Sequence, residues 1–159
     1  MMNASGAKLL GSLRGKAQKK RRVNLRCVFN GELSKRQKWF IKFLLGGVGY
    51  GLIELLWRGR THFSMVITGG ACLVAVCALN TKMQGKNIFL RAAACAAAIT
   101  AVEFCVGMLV NRLWHMNVWD YSGEKLHLLG QICPKYTVLW FMLSLPLSMA
   151  VSRVIKASR

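Results

Sequence analysis

The chain is poor in acid. Only five aspartates and glutamates stand against 23 lysines and arginines in 159 residues, a formal net charge of +18. An excess of that size in a soluble domain points to nucleic acid. Yet 54% of the residues are hydrophobic and the mean hydropathy is positive. A disordered basic tail is never that apolar, so charge and hydrophobicity must be segregated along the chain.

Other absences narrow the chemistry. No CxxC pair occurs among the six cysteines. Cys72, Cys77, Cys95 and Cys105 lie in apolar runs, Cys27 in a basic stretch and Cys133 at a run's edge, which reads as small apolar filler and not a disulfide framework. The three histidines and Cys133 lack tight ligand spacing, so neither a metal nor another cofactor is expected. No GxSxG elbow is present. His62 and Ser64 are two apart, and such neighbours do not face each other on a helix, which disfavours a nucleophile and its base. No GxxxxGK[ST] loop occurs, since Gly85-Lys86 is followed by Asn87. Any ATPase must therefore be a separate chain, and no enzymatic activity is expected of this one.

What the chain does have is long apolar runs. A bilayer core about 30 Å thick takes ~17–25 helical residues to cross. Segments 40–57, 63–79, 88–110 and 136–155 qualify. A domain this small has too little interior to hide all of them in water. The expected fold is an all-α integral membrane protein, a bundle of four transmembrane helices over 40–159, behind a basic, partly disordered tail at 1–39. No cleavage site for a secretory leader is visible, so the first apolar segment is expected to stay as an anchor.

Of the 23 basic residues, 18 lie in or beside the tail, the 80–91 turn (Lys82, Lys86, Arg91) and the C-terminal end. The Lys/Arg bias therefore predicts both termini in the cytoplasm. The tail's Lys19, Lys20, Arg21 and Arg22 suit anionic lipid headgroups. The tail lacks the interleaved aromatics of single-strand binders, so nucleic acid is not an expected partner.

Small residues permit close helix approach in lipid. Gly47 and Gly51 stand in GxxxG spacing, Gly69 and Gly70 follow in the second segment, and the third is rich in alanine. Pro146 is expected to kink the fourth segment, with Ser144 and Ser148 helping to resatisfy its backbone.

Two of the five acids, Glu54 and Glu103, fall inside spans. An acid at a span's centre costs about 2.5–3.5 kcal/mol on insertion scales, which makes each a functional-site hypothesis. Helical spacing puts Gly47, Tyr50, Gly51, Trp57 and Arg58 on the face of Glu54, and Ala96, Thr100, Gly107 and Asn111 on that of Glu103. Arg58 is four residues beyond Glu54 and can pair with it. Asp120 lies in the loop at 111–135 with Trp119, Tyr121, Ser122 and, further on, Gln131. The candidate substrate-binding residues are therefore Glu54, Arg58, His62, Ser64, Glu103, Asn111, Trp119, Asp120, Tyr121 and Gln131, gathered at the outer mouth of the bundle. Plainer readings stand beside this one: a structural Glu54–Arg58 pair, and an interfacial belt of Trp57, Trp119, Tyr121 and Trp140.

The blocks GYGLIELLWRGRTHFSM at 49–65, VEFCVGMLVN at 102–111, VWDYS at 118–122 and GQICPKYTVLW at 130–140 carry a resemblance. The chain resembles the putative ABC-transporter type IV family, small bacterial membrane proteins labelled ABC transporter permeases. The resemblance covers most of 47–140 and leaves the tail outside. It implies a multi-pass protein of the bacterial cytoplasmic (inner) membrane with a transport role. A separate ATPase subunit and homo-oligomerisation are further expected partners. The alternatives are a non-transporting adaptor acting through the tail, and a membrane-embedded enzyme acting on a lipid-like substrate.

Overall fold

The computed structural model describes residues 33–156. Four helices carry the fold: α1 Lys35–Arg58, α2 Phe63–Lys82, α3 Ile88–Gly107 and α4 Pro134–Lys156. A π-helical turn, Met108–Leu113, extends α3. All four helical stretches are long and apolar enough to cross a membrane. Only backbone that satisfies its own N–H and C=O groups can do so, which a helix does. Among the described residues the chain is thus built of four helices able to span a membrane. Lys19, Lys20, Arg21 and Arg22, and the rest of the basic stretch up to 32, lie outside the described residues.

Local signals set the helix ends. Ser34 caps α1 in a reciprocal box with Gln37, taking the Gln37 N–H at 3.2 Å and donating its own to Gln37 Oε1 at 2.9 Å. α1 therefore starts at Lys35, inside the stretch read from composition as tail. Gly59 ends it in the left-handed conformation at φ 68°. His62 caps α2, and Asn87 caps α3 through its Oδ1 on the Phe89 N–H at 2.9 Å.

Packing runs α1 on α2, α2 on α3, α3 on α4, with α2 also touching α4. α1 and α2 form an antiparallel hairpin in near backbone contact. A Cβ on Gly46 would meet Gly69 and Leu73, and one on Gly69 would meet Tyr50. Gly47 is pressed against Val66, whereas a Cβ on Gly51 would sit an ordinary 3.5 Å from the same side chain. The close approach is therefore made by Gly46 and Gly47 and not by the 47/51 pair that the GxxxG spacing singled out. The reason is register: the hairpin turn sets which glycines face α2.

The core lies between α2, α3 and α4, around Cys72, Val76, Cys95, Ala96, Ile99 and Trp140. α3 buries Ala92, Cys95, Ala96, Ile99 and Glu103 at helical spacing, as its small residues predicted. α4 continues through Pro146. Ser144 does not resatisfy its backbone as expected, since its buried hydroxyl has no hydrogen-bond partner.

Candidate functional site

The two membrane-embedded glutamates are both buried and both fully engaged. Glu54 sits one turn before the end of α1. Its Oε1 accepts from Arg58 Nη1 at 3.1 Å and its Oε2 from Thr61 Oγ1 at 2.7 Å. The i, i+4 spacing brings the arginine, and the sharp Gly59 turn brings Thr61 back over the helix end. Glu103 draws its donors from other helices. Tyr50 of α1 donates to Oε1 at 3.0 Å and Trp140 of α4 donates its Nε1–H to Oε2 at 2.7 Å. One carboxylate thereby ties three helices. Tyr50, placed by spacing on the face of Glu54, serves Glu103 instead.

Tyr50 and Trp140, with ring centroids 5.7 Å apart, also form the inner wall of a cleft. The cleft holds about 490 Å3. One side is Ile53, Glu54, Trp57 and Arg58 of α1; the other is Leu139, Met142, Leu143 and Pro146 of α4. Tyr121 of the long loop and Tyr136 at the start of α4 close the mouth, stacked with centroids 4.4 Å apart. Burial is the main cause that raises the Tyr121 phenol above its ordinary range, reinforced by the Glu103 charge. The phenol stays neutral and available as a donor. Apart from Glu54, Arg58 and the tyrosine hydroxyls, the lining is apolar.

The other sequence candidates go elsewhere. Asn111, Trp119 and Gln131 form a buried network of their own. Asn111 Nδ2 donates to the Trp119 carbonyl at 2.9 Å and to Gln131 Oε1 at 2.8 Å, and its Oδ1 accepts from the Val118 N–H at 2.7 Å. Trp119 Nε1 donates to the Gln131 carbonyl at 3.1 Å. Asn111 lies in the π turn, whose extra residue per turn departs from the 3.6-residue period that aligned it with Glu103. Gly107 lies under this network, where a Cβ would strike Gln131. These residues fasten the loop to the end of α3.

Asp120 is exposed and does not line the cleft. Its oxygens accept from the Ser122 N–H and hydroxyl, both at 2.8 Å. The backbone bond, then the hydroxyl, holds its carboxyl below the usual aspartate range. His62 and Ser64 do touch: Nδ1 lies 2.8 Å from Ser64 Oγ and takes the Ser64 N–H at 3.3 Å. The helix rule that separated them fails because His62 is the extended capping residue and not part of α2. Trp119 and Trp140 are buried, not part of an interfacial belt; Trp57, at 78% exposure, is placed as a belt residue would be. No group of three or more His, Cys, Asp or Glu among the described residues is placed to hold a metal.

One polar cluster was missed. Arg91, counted in the sequence as a topology charge of the turn, is 7% exposed. Its Nη2 donates to Asn80 Oδ1, to Ser152 Oγ at 2.6 Å and to the Ser148 carbonyl at 3.5 Å, while its Nε has no partner. The signal was available: an arginine within an alanine-rich span carries the same desolvation cost as a glutamate. The apolar wall contributed by α4 was also missed, because nothing local distinguishes it from any lipid-facing stripe.

A family model described as putative ABC-transporter type IV matches residues 54–158. The chain belongs to that family. The match takes in both glutamates, Arg58, the loop network, Arg91 and all of α4. No curated protein and no solved structure matches the chain.

Proposed function

We propose, with that family membership as premise, that the chain is the membrane-spanning subunit of a transport system and that its site is the cleft between α1 and α4. Four apolar helices and the family assign it to membrane transport at the coarse level. The observation supporting the finer reading is the way both intramembrane carboxylates bear on one cleft. Glu54 lines it, and Glu103 holds the two aromatic rings that wall it. Acids carried within a span at a cost of about 2.5–3.5 kcal/mol are accounted for if they build a site.

On this reading the hairpin end with Arg58 faces outward and both termini face the cytoplasm of a bacterial cell. Lys19, Lys20, Arg21 and Arg22 then lie against anionic headgroups. The chain itself performs no catalysis, and energy comes from a separate ATPase. Assembly of copies would complete a pathway that four helices alone barely enclose. The test is affinity purification of the tagged chain from its native membrane in mild detergent, followed by an ATPase assay of the complex. Co-purification of an ATP-hydrolysing subunit in fixed ratio supports the reading. A chain recovered repeatedly without one, while other membrane complexes survive the same detergent, counts against it.

A further inference from the structure

The cleft has the shape and polarity of a site for an amphiphile and not for a water-soluble solute. Its long walls are apolar: Ile53 and Trp57 on α1, Leu139, Met142 and Leu143 on α4. α1 packs extensively only on α2, so the gap between α1 and α4 is not closed by helix contact. Measured along α1 from Tyr50 to Arg58 and along α4 from Tyr136 to Pro146, the walls run about 12–15 Å at ~1.5 Å per residue. That is about one leaflet of a ~30 Å hydrocarbon core.

The polar groups sit at the end of this groove nearest the hairpin turn, and they are not equivalent. Both oxygens of Glu54 are already served, by Arg58 and Thr61. Arg58 engages Glu54 through Nη1 alone and keeps 31% of its side chain exposed. Arg60, two residues on, is exposed. The mouth therefore holds a satisfied carboxylate and a guanidinium with donors to spare, with Arg60 outside the cleft's lining. A planar guanidinium fork matches a phosphate or carboxylate, and Tyr121 and Tyr136 line the same cleft.

We propose that this cleft binds a membrane amphiphile entering sideways from one leaflet, its hydrocarbon chain between α1 and α4 and its anionic head on Arg58. The proposal rests on the transport reading only in making that amphiphile the cargo. It assigns Arg58 the ligand contact, Glu54 the positioning of Arg58, and Leu139, Met142 and Leu143 the chain.

The test uses the full chain in phosphatidylcholine nanodiscs. The probe is a lysophosphatidic acid with a photoreactive group in its acyl chain, and adducts are mapped by mass spectrometry. Adducts should concentrate on Ile53, Leu139, Met142 and Leu143. Leu143→Trp, which fills the groove and leaves the Glu54–Arg58 pair intact, should reduce them about tenfold. Arg58→Gln should weaken the anionic probe by about tenfold and leave a photoreactive monoacylglycerol probe, whose head has no anion, unchanged. Inorganic phosphate should not compete, because the head alone lacks the chain. Adducts spread over the exposed face of α1 and indifferent to Leu143→Trp would overturn the proposal, as would full competition by phosphate. If Arg58→Gln does not fold, Leu143→Trp decides. Site-specific labelling without any ATP-dependent flux would remove the transport reading and keep the ligand. Flux of a water-soluble solute with no labelling would do the reverse.

Discussion

A carboxylate inside a membrane span is tolerable when both its oxygens are served, and each glutamate here has two donors. For Glu103 those donors come from Tyr50 and Trp140, far away in the chain. Trp140→Phe keeps most of the ring and removes the donor, stranding a buried oxygen. The expected loss is about 1–3 kcal/mol, read as a lowered midpoint of thermal unfolding in detergent. Tyr50→Phe should act in the same direction, and the double variant should cost less than the sum, because both serve one group. Asp120 makes the opposite case. It is exposed, and its depressed carboxyl belongs to a two-residue turn with Ser122. Ionised Asp120 therefore steadies the turn above the ordinary aspartate pKa near ~3.9. That contribution is lost as pH falls through the lower, folded value. Amide exchange at Ser122 should quicken in that acid window, and Asp120→Asn should show no such step. Of these partnerships only Glu54–Arg58 was legible in the sequence, because an i, i+4 pair depends on helix geometry alone. The donors of Glu103 were not, because they depend on which faces of α1 and α4 meet α3.

At the scale of elements, the α1–α2 hairpin is a close contact that depends on the absence of side chains at Gly46, Gly47 and Gly69. Gly69→Ala would push its methyl into Tyr50. Overpacking of this kind costs about 1–3 kcal/mol, and here it would also displace the Tyr50 hydroxyl from Glu103. Gly51→Ala meets only an ordinary contact at 3.5 Å and should leave the unfolding midpoint within error, which makes it the control. The opposite end of the bundle has its own dependency. Arg91 of α3 reaches Asn80 of α2 and Ser148 and Ser152 of α4. Asn80→Leu removes an acceptor from a buried cation and should lower the yield of folded protein sharply. Arg91→Met with Asn80→Leu should recover part of it, since apolar replacement of both partners strands nothing. The helices themselves were legible from hydropathy, but their caps were not read: the Ser34–Gln37 box starts α1 at Lys35, inside the stretch assigned to the tail. The π turn was not legible either, and Asn111 lies within it.

For the whole molecule, an even number of spans returns the chain to the side it started from. A reporter fused after Lys156 should be active only in the cytoplasm, and one inserted at Gly123, which has open space around it, only outside. The opposite pattern would invert the site's assignment to the outer face. The sequence by itself determined the class of this protein, its four spans and the exceptional standing of Glu54 and Glu103. Hydropathy, helical period and the cost of an acid in lipid are all properties of local sequence. Only the tertiary structure decided that Glu54 and Glu103 bear on one cleft, that Asp120 stands apart from it and that Arg91 is buried. Those outcomes follow from helix register and neighbour choice, which depend on contacts between residues tens of positions apart.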